Sequence, residues 1–430
     1  MRMKRFWTAA IVLALVVAMV ATTAGCSGGM SKGSAIKGKT VVTFWHAMSG
    51  PHEAALKKIV ADFNKANEKY IEVQLVYQGS YGDLSTKLTA ALASGTPPTM
   101  AQQYENWTAA YIDAKALVPI QTFIDNPNYG MKKEELEDIY KVFRDQNTWD
   151  GKIWTMPMNK STNVLFVNTD LVKKIPTTWD EFRTTAKSLS KIDPDPKKSV
   201  YGFGYRANVD QFGFLLKQNG GDWLDKDGKA AFNSQAGIDA LQFLLDMTEE
   251  KSAYRIATGY ESDLFGPGQI AMYEGSIAGI SFVDNLSKGK HGWTVAKMPK
   301  GKAEASTVMG TNVGIFAKAK PAEQEAAWRF IKYLVSAEPQ AYWAQQTGYT
   351  PVAQSATKTK TWQDMVAQKP YWNAIADQLK VSTIDPRLST WDKARSEISG
   401  AVEKAVLKKA TAKEALDAAA AKVNEILGKK

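Results

Sequence analysis

Side chains able to do covalent or metal chemistry are few in this chain. It holds one cysteine, Cys26, and three histidines, His46, His52 and His291. A lone cysteine can form no internal disulfide. His46 and His52 stand six apart with Pro51 between them, so they share no helical face, and no metal site or other cofactor is expected. Gly202-Phe203-Gly204-Tyr205-Arg206-Ala207 has the lettering of a dinucleotide fingerprint. Bulky Phe and Tyr crowd the phosphate position, however, and the motif is not at the first strand–helix turn, so it reads as an ordinary turn. There is no phosphate-cradling loop ending in Gly-Lys-Ser/Thr and no Gly-x-Ser-x-Gly elbow. Two carboxylates could act as a glycosidase pair, but nothing selects them from 44 acidic residues.

Binding chemistry is better supplied. The chain contains 13 Trp and 16 Tyr, and several fall beside Gly or polar residues in expected loops: Trp45, Tyr81, Trp107, Trp154, Trp223, Trp293 and Tyr349. An indole offers a flat apolar face for the C–H side of a sugar ring and an N–H for a hydroxyl. Trp179, Trp328 and Trp343 lie in expected helices and read as packing.

Cys26 sits at an export junction. Arg2, Lys4 and Arg5 precede an apolar run from about Phe6 to Val20, then the small residues Thr23-Ala24-Gly25. A basic start, a run too short to span a bilayer comfortably and a small-residue cut site make a signal peptide. The pattern resembles bacterial lipoprotein signals, with Thr23 where those usually carry Leu. The resemblance implies cleavage after residue 25 and a diacylglycerol on the Cys26 thiol. Residues 26–37, rich in Gly and Ser, would be a flexible tether reaching about 35 Å from the membrane.

Removing residues 1–25 from 430 leaves 405, enough for two lobes with cores of their own. The formal charge of +10 falls to +7 once Arg2, Lys4 and Arg5 leave. The remaining lysines are scattered, without interleaved aromatics, so nucleic acid is not an expected partner. A basic surface near anionic lipid accounts for the charge.

The elements that must position any site follow a strand–helix rhythm. Thr40–Trp45 is a β-branched, aromatic strand. Ser49-Gly50-Pro51 opens a helix whose Leu56, Ile59, Val60 and Phe63 share a face. Ile71–Leu75 alternates as a strand, and Lys87–Ala93 is helical up to Gly95-Thr96-Pro97-Pro98. Asn163–Asn168 and Met309–Ala317 read as strands. Thr178 with Glu181, and Thr411 with Glu414, form capping boxes. Pro321 opens a helix with Ala327, Trp328, Ile331, Leu334 and Val335 on one face, and Leu416, Ala420, Val423 and Leu427 line the last helix. This order predicts an α/β fold with helices over a mainly parallel sheet.

Phe44-Trp45-His46-Ala47-Met48-Ser49-Gly50, Asp62-Phe63-Asn64, Gln78-Gly79-Ser80-Tyr81, Gly95-Thr96-Pro97-Pro98 and Tyr104-Glu105 resemble the start of extracellular solute-binding proteins of ABC importers. Pro157–Thr162, Ala271-Met272, Gln346–Pro351 and Asp385-Pro386-Arg387 continue the match over nearly the whole mature chain. It is most similar to the glycerol-3-phosphate-binding branch of the maltose-binding-like group. The resemblance implies a two-lobed, type II periplasmic-binding-protein fold with a ligand cleft between the lobes. Lobe 1 would take 38–157 and 296–338, and lobe 2 would take 158–295 and 339–430. It further implies an exported, monomeric, non-enzymatic protein, lipid-anchored to the outer face of the bacterial cell membrane and partnered by permease subunits. Closing around a small solute would create the surface those subunits read.

Carried over position by position, Tyr81, Glu105 and the backbone of Gly310 would reach the ligand from lobe 1. Ser161, Ser276, Tyr349 and Arg387 would complete the cleft, with Trp45 and Trp223 as aromatic contacts. Glu105 suits adjacent hydroxyls and Arg387 suits a phosphate or carboxylate. One departure concerns the ligand. Where the branch carries a Trp pair three residues apart, this chain has Ala207 and Asp210, with Tyr205, Phe212 or Trp223 as replacement walls. Glycerol-3-phosphate or a diester of it is the first expectation and a mono- to oligosaccharide the second. A surface-anchored carbohydrate-active enzyme and an adhesin-like protein are rivals from other classes.

Overall fold

The computed structural model describes residues 38–428. The expected signal peptide, Cys26 and the expected tether lie outside the described residues. Strand β1 (Thr40–His46) turns Val42, Phe44 and His46 into the interior. Helix α1 (Gly50–Ala66) starts after Ser49 with Pro51 in its first turn, where a missing N–H costs nothing. Its Leu56, Ile59, Val60 and Phe63 are buried as the spacing predicts. Strand β2 (Ile71–Tyr77) pairs parallel with β1. Helix α2 (Tyr81–Ala93) begins six residues before the expected Lys87, because Ser80 and Asp83 form a reciprocal capping box at its start. Strand β3 (Met100–Gln103) runs parallel along the other edge of β1, and helix α3 (Glu105–Asp113) follows directly.

Strand β4 (Met156–Asn168) is buried along its whole length. It extends well before Asn163 because it crosses from one lobe into the other. Beyond it, strand β5 (Tyr201–Tyr205) lies parallel to both β6 (Ala253–Arg255) and β7 (Ile270–Ser276). β7 and β8 (Trp293–Ala296) each run antiparallel to β4. Strand β9 (Ser306–Phe316) returns antiparallel to β4, with Gly310 opposite Lys160 and Thr311 opposite Asn159. The pairing then shifts, a bulge that re-aims side chains where the chain passes between lobes. The short β10 (Ser382–Thr383) joins β9 in parallel as a third crossing segment.

Among the described residues one continuous sheet of eleven strands results. It is parallel on both flanks, as expected, but antiparallel through β3, β9, β4 and β7. A chain that leaves a lobe and comes back must cross in opposite directions, which imposes that reversal.

Two main cores lie on either side. The first gathers Phe44, Leu56 and Phe63 with Trp328 and Ile331 of the helix Pro321–Leu334. The second gathers Phe203, Phe212 and Leu241 with Val402 and Leu416 of the last two helices. Trp343, Tyr349 and Val352 pack in the first core, although the expected lobe boundary fell before them at 339. The last helix is capped reciprocally by Thr411 and Glu414. Thr178 caps only one way: Glu181 N donates to its hydroxyl, while the Glu181 carboxylate accepts from Thr177 instead. Among the described residues no helix is long and apolar enough to cross a membrane.

Candidate ligand-binding cleft

The crossing strands form the floor of the cleft. Gly310 has φ +106°, and a Cβ there would come within 1.9 Å of the Asn159 carbonyl oxygen. Only glycine fits this backbone, so β9 and β4 can close up. Opposite it, Lys160 is fully buried. Its ammonium donates to Glu105 Oε1 at 3.0 Å and, more loosely, to the Gly310 carbonyl at 3.5 Å. Burial holds the Lys160 pKa below the ordinary lysine value, and Glu105 opposes that shift. Asn312 Nδ2 donates to the same Glu105 oxygen at 2.7 Å. As the first residue of α3, Glu105 also faces the positive end of the helix.

A cavity of about 380 Å³ opens above this floor. Tyr104, Glu105, Trp107 and Gln146 line it from the first lobe, and Thr307–Gly310 of β9 line its base. The facing wall carries Asp210, Asp385, Trp391, Asp392 and Arg395. Arg395 is gripped on both sides, by Asp210 Oδ1 and by Asp385 Oδ2, each at 2.5 Å. Asp385 Oδ1 accepts from Trp223 Nε1 at 2.9 Å. Burial, with Asp210 close by, raises the Asp385 carboxyl above its usual range while Arg395 pulls it down. Asn106 Nδ2 reaches Asp392 Oδ2 at 2.5 Å, joining the two walls.

The expected contacts are spread over several places. Glu105 and Gly310 line the cavity. Tyr81, Ser161, Ser276 and Tyr349 are not among its lining residues. The Tyr81 hydroxyl accepts from Asn159 Nδ2 at 3.0 Å, and its ring packs 5.1 Å from Tyr104. Tyr349 stacks on Trp343 at 5.9 Å in the first core. Ser276 Oγ donates to Ser161 Oγ at 3.0 Å and accepts from Ala278 N, so the two hydroxyls are paired with each other.

Trp45 is half-buried against a satellite core containing Leu84 and Phe316. Trp223 is buried between Phe212, Phe232 and Trp391, where it holds Asp385 in place. Tyr205 and Phe212 are wholly buried in the second core. The aromatic faces on the cavity come instead from Trp391, Trp107 and Tyr104.

Arg387 is not among the residues lining the cavity, and its guanidinium is engaged by backbone carbonyls. Nη1 donates to the carbonyls of Asp145, at 2.5 Å, and Thr148. The group lies over the Trp149 ring at 5.1 Å, and Trp149 Nε1 donates back to the Arg387 carbonyl. Within Asp385-Pro386-Arg387 it is the aspartate that lines the cavity. Sequence reasoning did not single out Lys160, Trp391, Arg395 or Gln146 as site residues. The one available signal was Asp392 and Arg395 on a single face of a charged helix, which reads equally as a solvated surface. Among the described residues no group of three or more His, Cys, Asp or Glu could hold a metal ion.

Comparison with known proteins places these features in context. A family model described as bacterial extracellular solute-binding protein matches residues 58–370. The sn-glycerol-3-phosphate-binding periplasmic protein UgpB of Salmonella paratyphi A is 24% identical over 415 residues, covering 90% of this chain and 92% of that one. Among solved structures, the cyclic alpha-maltosyl-1,6-maltose binding protein of Arthrobacter globiformis superposes with a TM-score of 0.78 at 23% identity, covering 91% and 99% of the two chains. UgpB from Mycobacterium tuberculosis, in complex with glycerophosphocholine, gives 0.78 at 20% identity, covering 90% and 98%. Such similarity supports the two-lobed type II periplasmic solute-binding fold expected from sequence.

Proposed function

The chain belongs to the bacterial extracellular solute-binding protein family, and from that premise we propose that it captures a hydroxyl-rich saccharide for an ABC importer without altering it. The observation that carries the saccharide is the charge balance of the cavity. Its wall presents Glu105, Asp210, Asp385 and Asp392. Of the nearby cations, Lys160 is paired with Glu105 and Arg395 with both Asp210 and Asp385, while Arg387 is turned to the Asp145 and Thr148 carbonyls. An ionised phosphate brings only acceptors and negative charge, which such a wall repels. Sugar hydroxyls donate to carboxylates, while Trp391 and Trp107 can cover the apolar ring faces.

Glycerol-3-phosphate or a diester is the second reading, favoured by what the curated relative is named for binding. It requires Arg387 to leave the Asp145 and Thr148 carbonyls. In either case the protein is a carrier rather than an enzyme. It acts as a monomer, tethered through lipidated Cys26 to the outer face of the membrane, with the lobes divided near 157 and 295 and with Trp343, Tyr349 and Val352 packing into the first. Ligand bridging Glu105 and the Asp385–Arg395 wall favours the closed form that permease subunits engage.

Calorimetry with maltose, maltotriose, sn-glycerol-3-phosphate and glycerophosphocholine tests the choice. Saccharide binding with a raised melting temperature is expected, since a ligand selective for the native state stabilises it. Binding confined to the two phosphates overturns the saccharide reading.

A further inference from the structure

The turn after α4 (Lys141–Gln146) is held from every side. Asp145 pairs with Lys141 at 2.5 Å. Asn147 Nδ2 donates to the Phe143 carbonyl at 2.7 Å, and its Oδ1 accepts from Thr155. The Thr148 hydroxyl donates to the Arg144 carbonyl at 2.8 Å. From the third crossing segment, Arg387 grips the carbonyls of Asp145 and Thr148, one on each side of Gln146, and stacks on Trp149.

Gln146 is not tied into this frame in the same way. It lines the cavity, is only 3% exposed, and its Oε1 is buried with no hydrogen-bond partner among the described residues. A buried amide left unpaired costs free energy, and a rigid frame around it prevents the chain from relieving that cost. A hydroxyl entering the cavity can satisfy such a group.

We propose that Gln146 forms a hydroxyl subsite on the first-lobe wall, where its amide hydrogen-bonds a saccharide hydroxyl next to the one Glu105 takes. We further propose that Arg387 is its positioning residue, acting through the turn rather than on the ligand. This inference rests on the saccharide reading above.

The test is calorimetry and thermal unfolding of the full mature chain and of Q146L, R387M, R387K and Q146L/R387M, using maltotriose, maltose and sn-glycerol-3-phosphate as probes. Q146L is expected to bind the saccharide about three- to tenfold more weakly, the worth of one neutral hydrogen bond. The same variant should melt higher without ligand, because it no longer buries an unpaired amide; a purely structural role for Gln146 predicts the opposite. R387M should weaken binding to a similar extent, and the double variant should be no weaker than the worse single one. R387K, which keeps the charge and N–H donors for the two carbonyls but not the planar group over Trp149, should recover much of the affinity that R387M loses and serves as the readout if R387M fails to fold. Wild-type affinity retained in Q146L overturns the subsite while leaving the saccharide reading intact. Additive losses in the double variant, wild-type affinity in R387M, or no recovery in R387K overturn the role of Arg387. A wild-type protein that binds only the phosphate, or none of the probes, overturns the saccharide reading and the subsite with it.

Discussion

Glu105 Oε1 lies 3.0 Å from the ammonium of Lys160, a lysine with no solvent exposure. The pair ties the start of α3 to the middle of β4. It therefore fixes the carboxylate at the cavity edge relative to the crossing strands. It also neutralises the ammonium beneath the cavity.

Removing the carboxylate strands the ammonium. Glu105→Leu should cost about 3–5 kcal/mol of stability, because a buried charge is left without its partner. Lys160→Met combined with Glu105→Leu should recover most of that loss in urea denaturation. A double variant as unstable as the single one would show that the pair is not energetically coupled.

Arg395 neutralises two carboxylates that otherwise face each other. The Asp385 carboxyl already sits above its usual range through burial and Asp210, and in Arg395→Met it rises further. A carboxyl raised on folding binds its proton more tightly in the native state, so the variant loses stability as pH rises through that window. At pH 7 the variant should be about 3 kcal/mol less stable than wild type, and the gap should narrow at pH 4.5. An equal gap at both pH values counts against this account.

Gly310→Ala is expected to be severe. Its φ of +106° disfavours any side chain, and the added methyl would overlap the Asn159 carbonyl. A loss of about 3 kcal/mol or more, with weaker ligand binding, should appear in thermal unfolding and titration. A variant of wild-type stability would mean that β4 and β9 can separate at little cost.

His46 makes the fold acid-sensitive. Burial lowers its pKa from 6.5 to about 4, and its Nδ1 accepts from Met48 N, leaving Nε2 buried without a partner among the described residues. Between pH 6.5 and about 4 the unfolded chain takes up a proton that the folded chain refuses. Acidification across that window should therefore remove about 3 kcal/mol. His46→Leu should lack this component, seen as a smaller change in unfolding free energy from pH 7 to pH 4. Identical pH slopes for the two proteins would refute it.

Several elements were legible because neighbours in sequence suffice to define them. The α1 stripe of Leu56, Ile59, Val60 and Phe63 and the Thr411–Glu414 cap both depend on spacings of a few residues. The early start of α2 was missed although Ser80 and Asp83 carry its signal three residues apart. The antiparallel centre of the sheet was missed for another reason: β4 and β9 pair residues about 150 positions apart.

The sequence alone determined the family and the α/β rhythm, since short recognisable segments carry both. Only the tertiary structure decided the character of the cavity wall. Arg395 and Asp210 stand 185 residues apart, and Trp223 meets Asp385 across 162. Whether a guanidinium faces a ligand, a carboxylate or a backbone carbonyl depends on which segments folding brings beside it, and no local spacing encodes that.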